Sequence, residues 1–282
     1  MNRHFGIIGG DRRQAELARL LREEGHQVET YGLTPWGQTD TPLDQTAQAE
    51  LILLPLPLCR KDGCLNCTGR AMTPAEVFDL FRPGQRIFAG LVQPEQWREA
   101  ARRGLCLSDY MKREELAVAN AIPTAEGALQ IALEELPVTL FDTEVLVLGY
   151  GRIGKLLAKD LVGLGARVSV AARKRADRVW AESAGCTSLE YRELGKRLNR
   201  FRAVFNTVPA EVLGEGELQA LRPDCLCVDL ASQPGWNGET ASALSLHSVR
   251  AGGLPGKAAP ETAAAAIRNT ILWSLEEEEE RV

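Results

Sequence analysis

Short apolar runs alternate along this chain with stretches whose apolar residues recur at helical spacing. The first run, residues 5–9, is followed by a helical pattern over 12–24 with Leu17, Leu20 and Leu21 on one face, Gly25 as a stop, and a second run at 28–31. This order predicts a βαβ unit. Further strands are expected at 51–54, at 87–89 and near 106–107. Helices should open at Thr73-Pro74 and at Pro94, where proline suits a first turn.

A helical stretch at 112–119 precedes the segment NAIPTAEGALQIALEEL, in which Asn120 or Thr124 suits a helix cap. Ile131, Leu133 and Leu136 then give a partly buried helix, read as the connection between two domains. In the second half, strands are expected at 144–148, 167–171, 203–207, 226–230 and near Val249, separated by helices at 152–164, 175–184 and 216–221. Short β-branched runs alternating with helices predict parallel sheets covered on both faces. The fold class expected is α/β, with two Rossmann-like doubly wound parallel-sheet domains and a cleft between them. The first covers residues 1–119 and binds substrate; the second covers 120–259, including the linker helix, and binds the dinucleotide. A last helix, about 260–282, is expected to pack back on the first domain, with the acidic run Glu276 to Glu280 as a frayed, solvated end.

Composition narrows the function. A chain of 282 residues, 45% of them hydrophobic, can bury the cores of two domains, and a net charge of -5 offers no strong field for nucleic acid or an anionic membrane. The start of the sequence enters a strand without the apolar region of a signal peptide, and no apolar run approaches the length of a membrane span, so a soluble, cytoplasmic chain is expected. Seven scattered cysteines suit reduced thiols. Cys59, Cys64 and Cys67 have the spacing C-x4-C-x2-C, which would supply three of four ligands to zinc or an iron–sulfur cluster, but no fourth cysteine lies at a matching place. They are read as loop cysteines, with no metal.

Two glycine-rich turns compete for a nucleotide. Gly149, Tyr150, Gly151, Arg152, Ile153 and Gly154 follow the strand EVLVL and open a helix, which makes GxGxxG a specific dinucleotide fingerprint. Gly149 serves the turn, Gly151 the approach of a pyrophosphate, and Gly154 close helix packing. At the end of the next strand no acid stands ready for a ribose hydroxyl. Arg173, Lys174 and Arg175 stand there instead, and three cations suit the 2′-phosphate of NADP. Thr207, Val208, Pro209 and Ala231 follow strand ends and are expected along the nicotinamide half. The first turn, Gly9-Gly10-Asp11-Arg12-Arg13-Gln14, lacks the spacing, and Asp11 would set a carboxylate where a pyrophosphate must sit. Asp11, Arg12 and Gln14 are therefore candidates for facing substrate.

With these motifs in place the chain resembles the dipicolinate synthase A-subunit family. The resemblance rests on IGGDRRQ at 8–14, LPLP at 54–57, NAIPTAEGA at 120–128, VLGYGRIG at 147–154, NTVP at 206–209, DLASQPG at 229–235 and GGLPGKAAPETAA at 252–264. It implies an NADP-dependent oxidoreductase of sporulation that oxidises a dihydrodipicolinate-type ring to pyridine-2,6-dicarboxylate beside a flavoprotein-like B subunit. It also implies a fold akin to alanine and D-2-hydroxyacid dehydrogenases. A homo-oligomer is expected. Two segments depart from the family pattern: Gln233 stands where that pattern has arginine, and the cysteines of LCRKDGCLNCTGR are foreign to it.

A small dicarboxylate substrate calls for cations and N–H donors. Arg12, Arg60, Lys61 and Lys257 lie near strand ends or turns, and the GGLPGK turn precedes a helix. The residues singled out for catalysis are Arg12, Glu126, Ser232 and Lys257; Asp11, Gln14, Thr124 and Gln233 join Arg12, Ser232 and Lys257 for substrate binding. Glu126 is either a proton acceptor or a hinge residue bonding backbone, and His247 is read as a surface residue. Two alternatives remain: an imine or 2-oxo acid reductase on the same scaffold, and a non-catalytic NADP-binding subunit supporting a flavoprotein.

Overall fold

The computed structural model describes residues 2–280. The chain divides into two compact units, Met1–Asn120 with Ala259–Val282, and Ala121–Ala258. In the first unit the order is β1 (His4–Ile8), α1 (Arg12–Glu23), β2 (Gln27–Tyr31), α2 (Leu43–Thr46), β3 (Leu51–Leu53), α3 (Pro74–Phe78), β4 (Arg86–Ala89), α4 (Pro94–Arg102) and β5 (Cys106–Asp109). The strands form one parallel sheet, β2-β1-β3-β4-β5, with Ile7 opposite both Thr30 and Leu53. The two-residue period of β1 sends Phe5 and Ile7 into one core, with Leu17 and Leu21 of α1, and Ile8 into another, with Ile52, Phe78 and Ile87. The inner strands β1, β3 and β4 are buried on both faces, so they read as apolar runs rather than alternations.

The helix α5 (Glu114–Glu135) corrects one expectation. The two helices expected on either side of a cap at Asn120 or Thr124 are one 22-residue helix with Pro123 inside it. A proline there removes one backbone hydrogen bond, but alanine, the best helix former, is frequent around it, and in the second unit Ala121, Ala125, Ala128 and Ala132 lie on one buried stripe. Among the described residues this is the one helix long and apolar enough to cross a membrane, and Ala125, Ala128 and Ala132 are core residues.

The second unit runs β6 (Glu144–Leu148), α6 (Arg152–Gly163), β7 (Arg167–Ala171), α7 (Arg175–Ser183), β8 (Thr187–Leu189), β9 (Ala203–Asn206), α8 (Glu215–Gln219), β10 (Leu226–Asp229), α9 (Gly238–Ala243), β11 (His247–Arg250) and α10 (Leu254–Ala258). Its parallel sheet has the order β11-β10-β9-β6-β7-β8. The sheet reverses its winding between β6 and β9, as dinucleotide-binding sheets do, whereas the first unit has the 2-1-3-4-5 order. Val145 and Val147 enter one core with Phe205 and Val228; Leu146 and Leu148 enter the other with Val204 and Trp236. Each such side chain contributes roughly 1.5–3 kcal/mol on burial.

GGLPGK is not a turn ahead of a helix. Most of it forms α10, which approaches α5 at Gly127, where a Cβ would come within 3.2 Å of Leu254. The last helix, α11 (Pro260–Glu279), puts Ala264, Ile267, Ile271 and Leu275 into the core beneath α1. Its acidic end is not a solvated fringe: Glu277 pairs with Arg113 at 2.6 Å, Glu278 with Arg86 at 3.2 Å, and Glu279 with Arg3. Those arginines lie far from the run in sequence, so counting charge along the chain could not reveal the pairing.

Candidate functional site

β6 delivers Gly149 to the carboxyl end of the sheet where the strand order reverses, between β6 and β9. Gly149 has φ 93°, and a Cβ on it would lie 2.6 Å from Thr207 Oγ1 and 2.8 Å from Val208 Cγ2. A Cβ on Gly154 would sit 2.4 Å from the Gly149 carbonyl oxygen, so α6 packs directly on the turn. A Cβ on Gly151 would meet nothing within 4 Å, and no side chain caps α6. An anion can therefore approach the positive end of this helix, with Arg152 exposed beside it and Ile153 half-buried. Tyr150 points inward; its hydroxyl donates to the Trp180 carbonyl at 3.4 Å, and burial raises its pKa.

Beyond β7, Arg173, Lys174 and Arg175 are exposed, and among the described residues none of the three is in an ion pair. The neighbouring Arg178 has a structural role, donating to the carbonyls of Ala172 at 3.0 Å and Arg173 at 3.1 Å and pairing with Glu190 at 2.8 Å. The turn is thus held by Arg178 while the other three cations face solvent.

The loops after β9 and β10 are tied by two residues that sequence alone does not single out. Asn206, fully buried, donates from Nδ2 to Asp229 Oδ1 at 2.8 Å and to the Val208 carbonyl at 3.0 Å, and its Oδ1 accepts from Val208 N at 3.0 Å. Asp229, 3% exposed, also accepts from Gly235 N at 2.9 Å, from Ala231 N at 3.3 Å and from Arg250. Thr207 Oγ1 donates to the Leu148 carbonyl at 2.8 Å, which pins the β9 loop against the glycine turn. Ser232, Gln233 and Pro209 are left exposed and Ala231 buried.

In the first unit the corresponding turn is closed twice over. Asp11 caps α1, accepting from Arg13 N at 2.9 Å, while Gln14 Oε1 accepts from Asp11 N at 3.0 Å. The chain's own loop after β3 then fills the space above: Gly10 N donates to the Asn66 carbonyl at 2.7 Å, and a Cβ on Gly9 would lie 2.8 Å from both that oxygen and Cys67 Cβ. Asp11 and Gln14 thus serve the helix cap, Gln14 being 1% exposed, and Arg12 is exposed with a loose 3.9 Å contact to Glu16. Arg13 is the buried arginine, 8% exposed, bound to Asp11 Oδ2 at 2.6 Å and to the Leu56 carbonyl at 2.5 Å. A signal for it existed: Arg13 shares a stripe with Leu17 and Leu21 at i+4 and i+8, and Arg12 does not. Asp11→Ala removes both the cap and the partner of this guanidinium, so a loss of about 3 kcal/mol in unfolding free energy is expected from chemical denaturation.

The remaining candidates lie on several elements of the two units. On α5, Thr124 is buried and Glu126 exposed, and Lys257 is exposed on α10. His247 is exposed and lies 3.2 Å from Glu135. Arg60 is 3.5 Å from Asp62. Burial pushes the thiols of Cys59 and Cys67 up to about 11, and Cys67 donates to the Thr68 carbonyl at 3.3 Å. Among the described residues no three His, Cys, Asp or Glu side chains converge as metal ligands.

Residues 4–111 match the family model for the N-terminal domain of the dipicolinate synthase A subunit. The A subunit of dipicolinate synthase from Bacillus subtilis (strain 168) is 29% identical over 286 residues, covering 97% of this chain and 96% of that protein. The chain is similar to dipicolinate synthase A subunits over nearly its whole length. The crystal structure of the dipicolinate synthase A subunit from Bacillus halodurans superposes with a TM-score of 0.87 at 26% identity, covering 97% of each chain. An L-alanine dehydrogenase structure gives 0.65 at 16% identity, covering 95% of this chain and 88% of its own, a likeness of fold alone. Dipicolinate synthase A subunits thus share this chain's two-sheet architecture from end to end, as the motifs led one to expect.

Proposed function

We propose that this chain is the dinucleotide-binding oxidoreductase subunit of a dipicolinate synthase, using NADP to oxidise a dihydrodipicolinate-type ring to pyridine-2,6-dicarboxylate. The observation that carries the reading is the contrast between two glycine turns in a chain similar throughout to dipicolinate synthase A subunits. The first turn is capped by a carboxylate and filled by Asn66, while the second is open at Gly151.

In this reading Gly149, Gly151 and Gly154 bring backbone donors at the start of α6 against the pyrophosphate, and Arg173, Lys174 and Arg175 meet the 2′-phosphate. Thr207, Val208, Pro209 and Ala231 flank the nicotinamide half. The bound dinucleotide supplies a two-electron acceptor. Because aromatisation of the ring provides driving force, the chain's own residues need mainly to orient the substrate and accept a proton. Ser232, Gln233 and Lys257 offer donors to the dianion, and Glu126 is exposed and able to take the proton. The reading includes a B-type flavoprotein partner.

The test follows NADP reduction by the purified full chain with dihydrodipicolinate generated in the cuvette. Appearance of NADPH is expected. Turnover of 2-oxo acids alone would refute the reading, and NADPH binding without turnover until a flavoprotein is added would move catalysis to the partner.

A further inference from the structure

Arg250 ends β11 beside Asp229, the last residue of β10, and the two are paired in register. Asp229 is a buried carboxylate already served by Asn206 and by the backbone of Ala231 and Gly235. Arg250 reaches it through Nη1 alone, and the same nitrogen lies 3.5 Å from the Gln233 carbonyl. The Arg250 side chain is 43% exposed, and among the described residues its Nε and Nη2 make no hydrogen bond. One corner of the guanidinium is thus anchored to a buried anion while donors of the fork remain open, at the carboxyl ends of strands, where ligands of such sheets bind. A fork fixed in this way is suited to a planar carboxylate, because little rotamer freedom is left to lose on binding.

Resting on the function proposed above, we infer that Arg250 is the cation that receives a carboxylate of the substrate, next to Ser232 and Gln233. Its bond to Asp229 sets its direction. A lysine could replace a guanidinium needed only to balance Asp229.

The test titrates pyridine-2,6-dicarboxylate into the full chain, with and without saturating NADPH, for wild type, Arg250→Lys and Arg250→Met. Arg250→Lys keeps a cation for Asp229 and so guards against loss of the fold. Dicarboxylate affinity should fall about tenfold or more in Arg250→Lys and further in Arg250→Met, while NADPH affinity and the Tm of Arg250→Lys stay near wild type. Unchanged dicarboxylate affinity in Arg250→Lys would overturn the assignment and leave the proposed function standing. Dicarboxylate binding that depends on Arg250 in a chain that binds no dinucleotide would uphold Arg250 and sink the dinucleotide reading. A wild-type chain that binds no dicarboxylate in either condition would overturn both.

Discussion

Replacing Arg173 and Lys174 together by glutamine should weaken NADPH binding by about 100-fold and leave NADH within a few-fold of wild type. Each hydrogen bond from a charged donor to the 2′-phosphate contributes about 1.5 kcal/mol, the low end of its range, because both side chains are exposed and screened. Two such contacts sum to about 3 kcal/mol, and each step of about 1.4 kcal/mol is a factor of ten in affinity. Fluorescence titration with both dinucleotides at two salt concentrations measures it. The NADPH preference of the wild type should shrink at higher salt and that of the variant should not. Both side chains face solvent in this structure, so Tm should not move; Arg178, which holds the turn through two carbonyls and Glu190, is the cation whose loss would cost stability. Equal losses for NADPH and NADH would mean that the cluster reads something other than the 2′-phosphate.

How far the sequence leads depends on where each signal lies. The inner parallel strands are legible because they are buried on both faces, and so stand out as apolar runs such as VLVL at 145–148. The glycine fingerprint is legible because three backbone demands fall within six residues. What escapes is polar and distant. Asn206 and Asp229 sit at strand ends within recognisable motifs, but their job is set by partners up to 23 positions away. Likewise the closure of the first turn by Asn66 joins residues more than fifty positions apart, which no local pattern encodes. Short elements are hidden for a related reason: β8 and α9 are too brief to establish a period, and α9 is announced chiefly by its Asn237 cap. Pro123 misleads in the opposite sense, because a strong local breaker is overridden by the buried alanine stripe around it.

The glycines of the second turn should fail in different ways, and that difference separates a binding site from a packing motif. Gly151 has φ -84°, a value open to any residue, and a Cβ there meets nothing within 4 Å. Gly151→Val should therefore fold with a loss of about 1 kcal/mol or less, the scale of a changed helix cap. Its branched side chain nevertheless occupies the space through which a pyrophosphate reaches the first N–H groups of α6. Losing two charge-assisted backbone contacts of about 1.5–3 kcal/mol each predicts a fall in dinucleotide affinity of at least about 100-fold, the same for NADPH and NADH. Gly154→Val is the opposite case, since its Cβ would press 2.4 Å from the Gly149 carbonyl oxygen, and strain in so tight a contact should lower Tm and binding together. Thermal melts and dinucleotide titrations on the two variants decide the matter. If Gly151→Val binds both dinucleotides like wild type, the open face of this turn is no phosphate seat, and the function argued from it falls too.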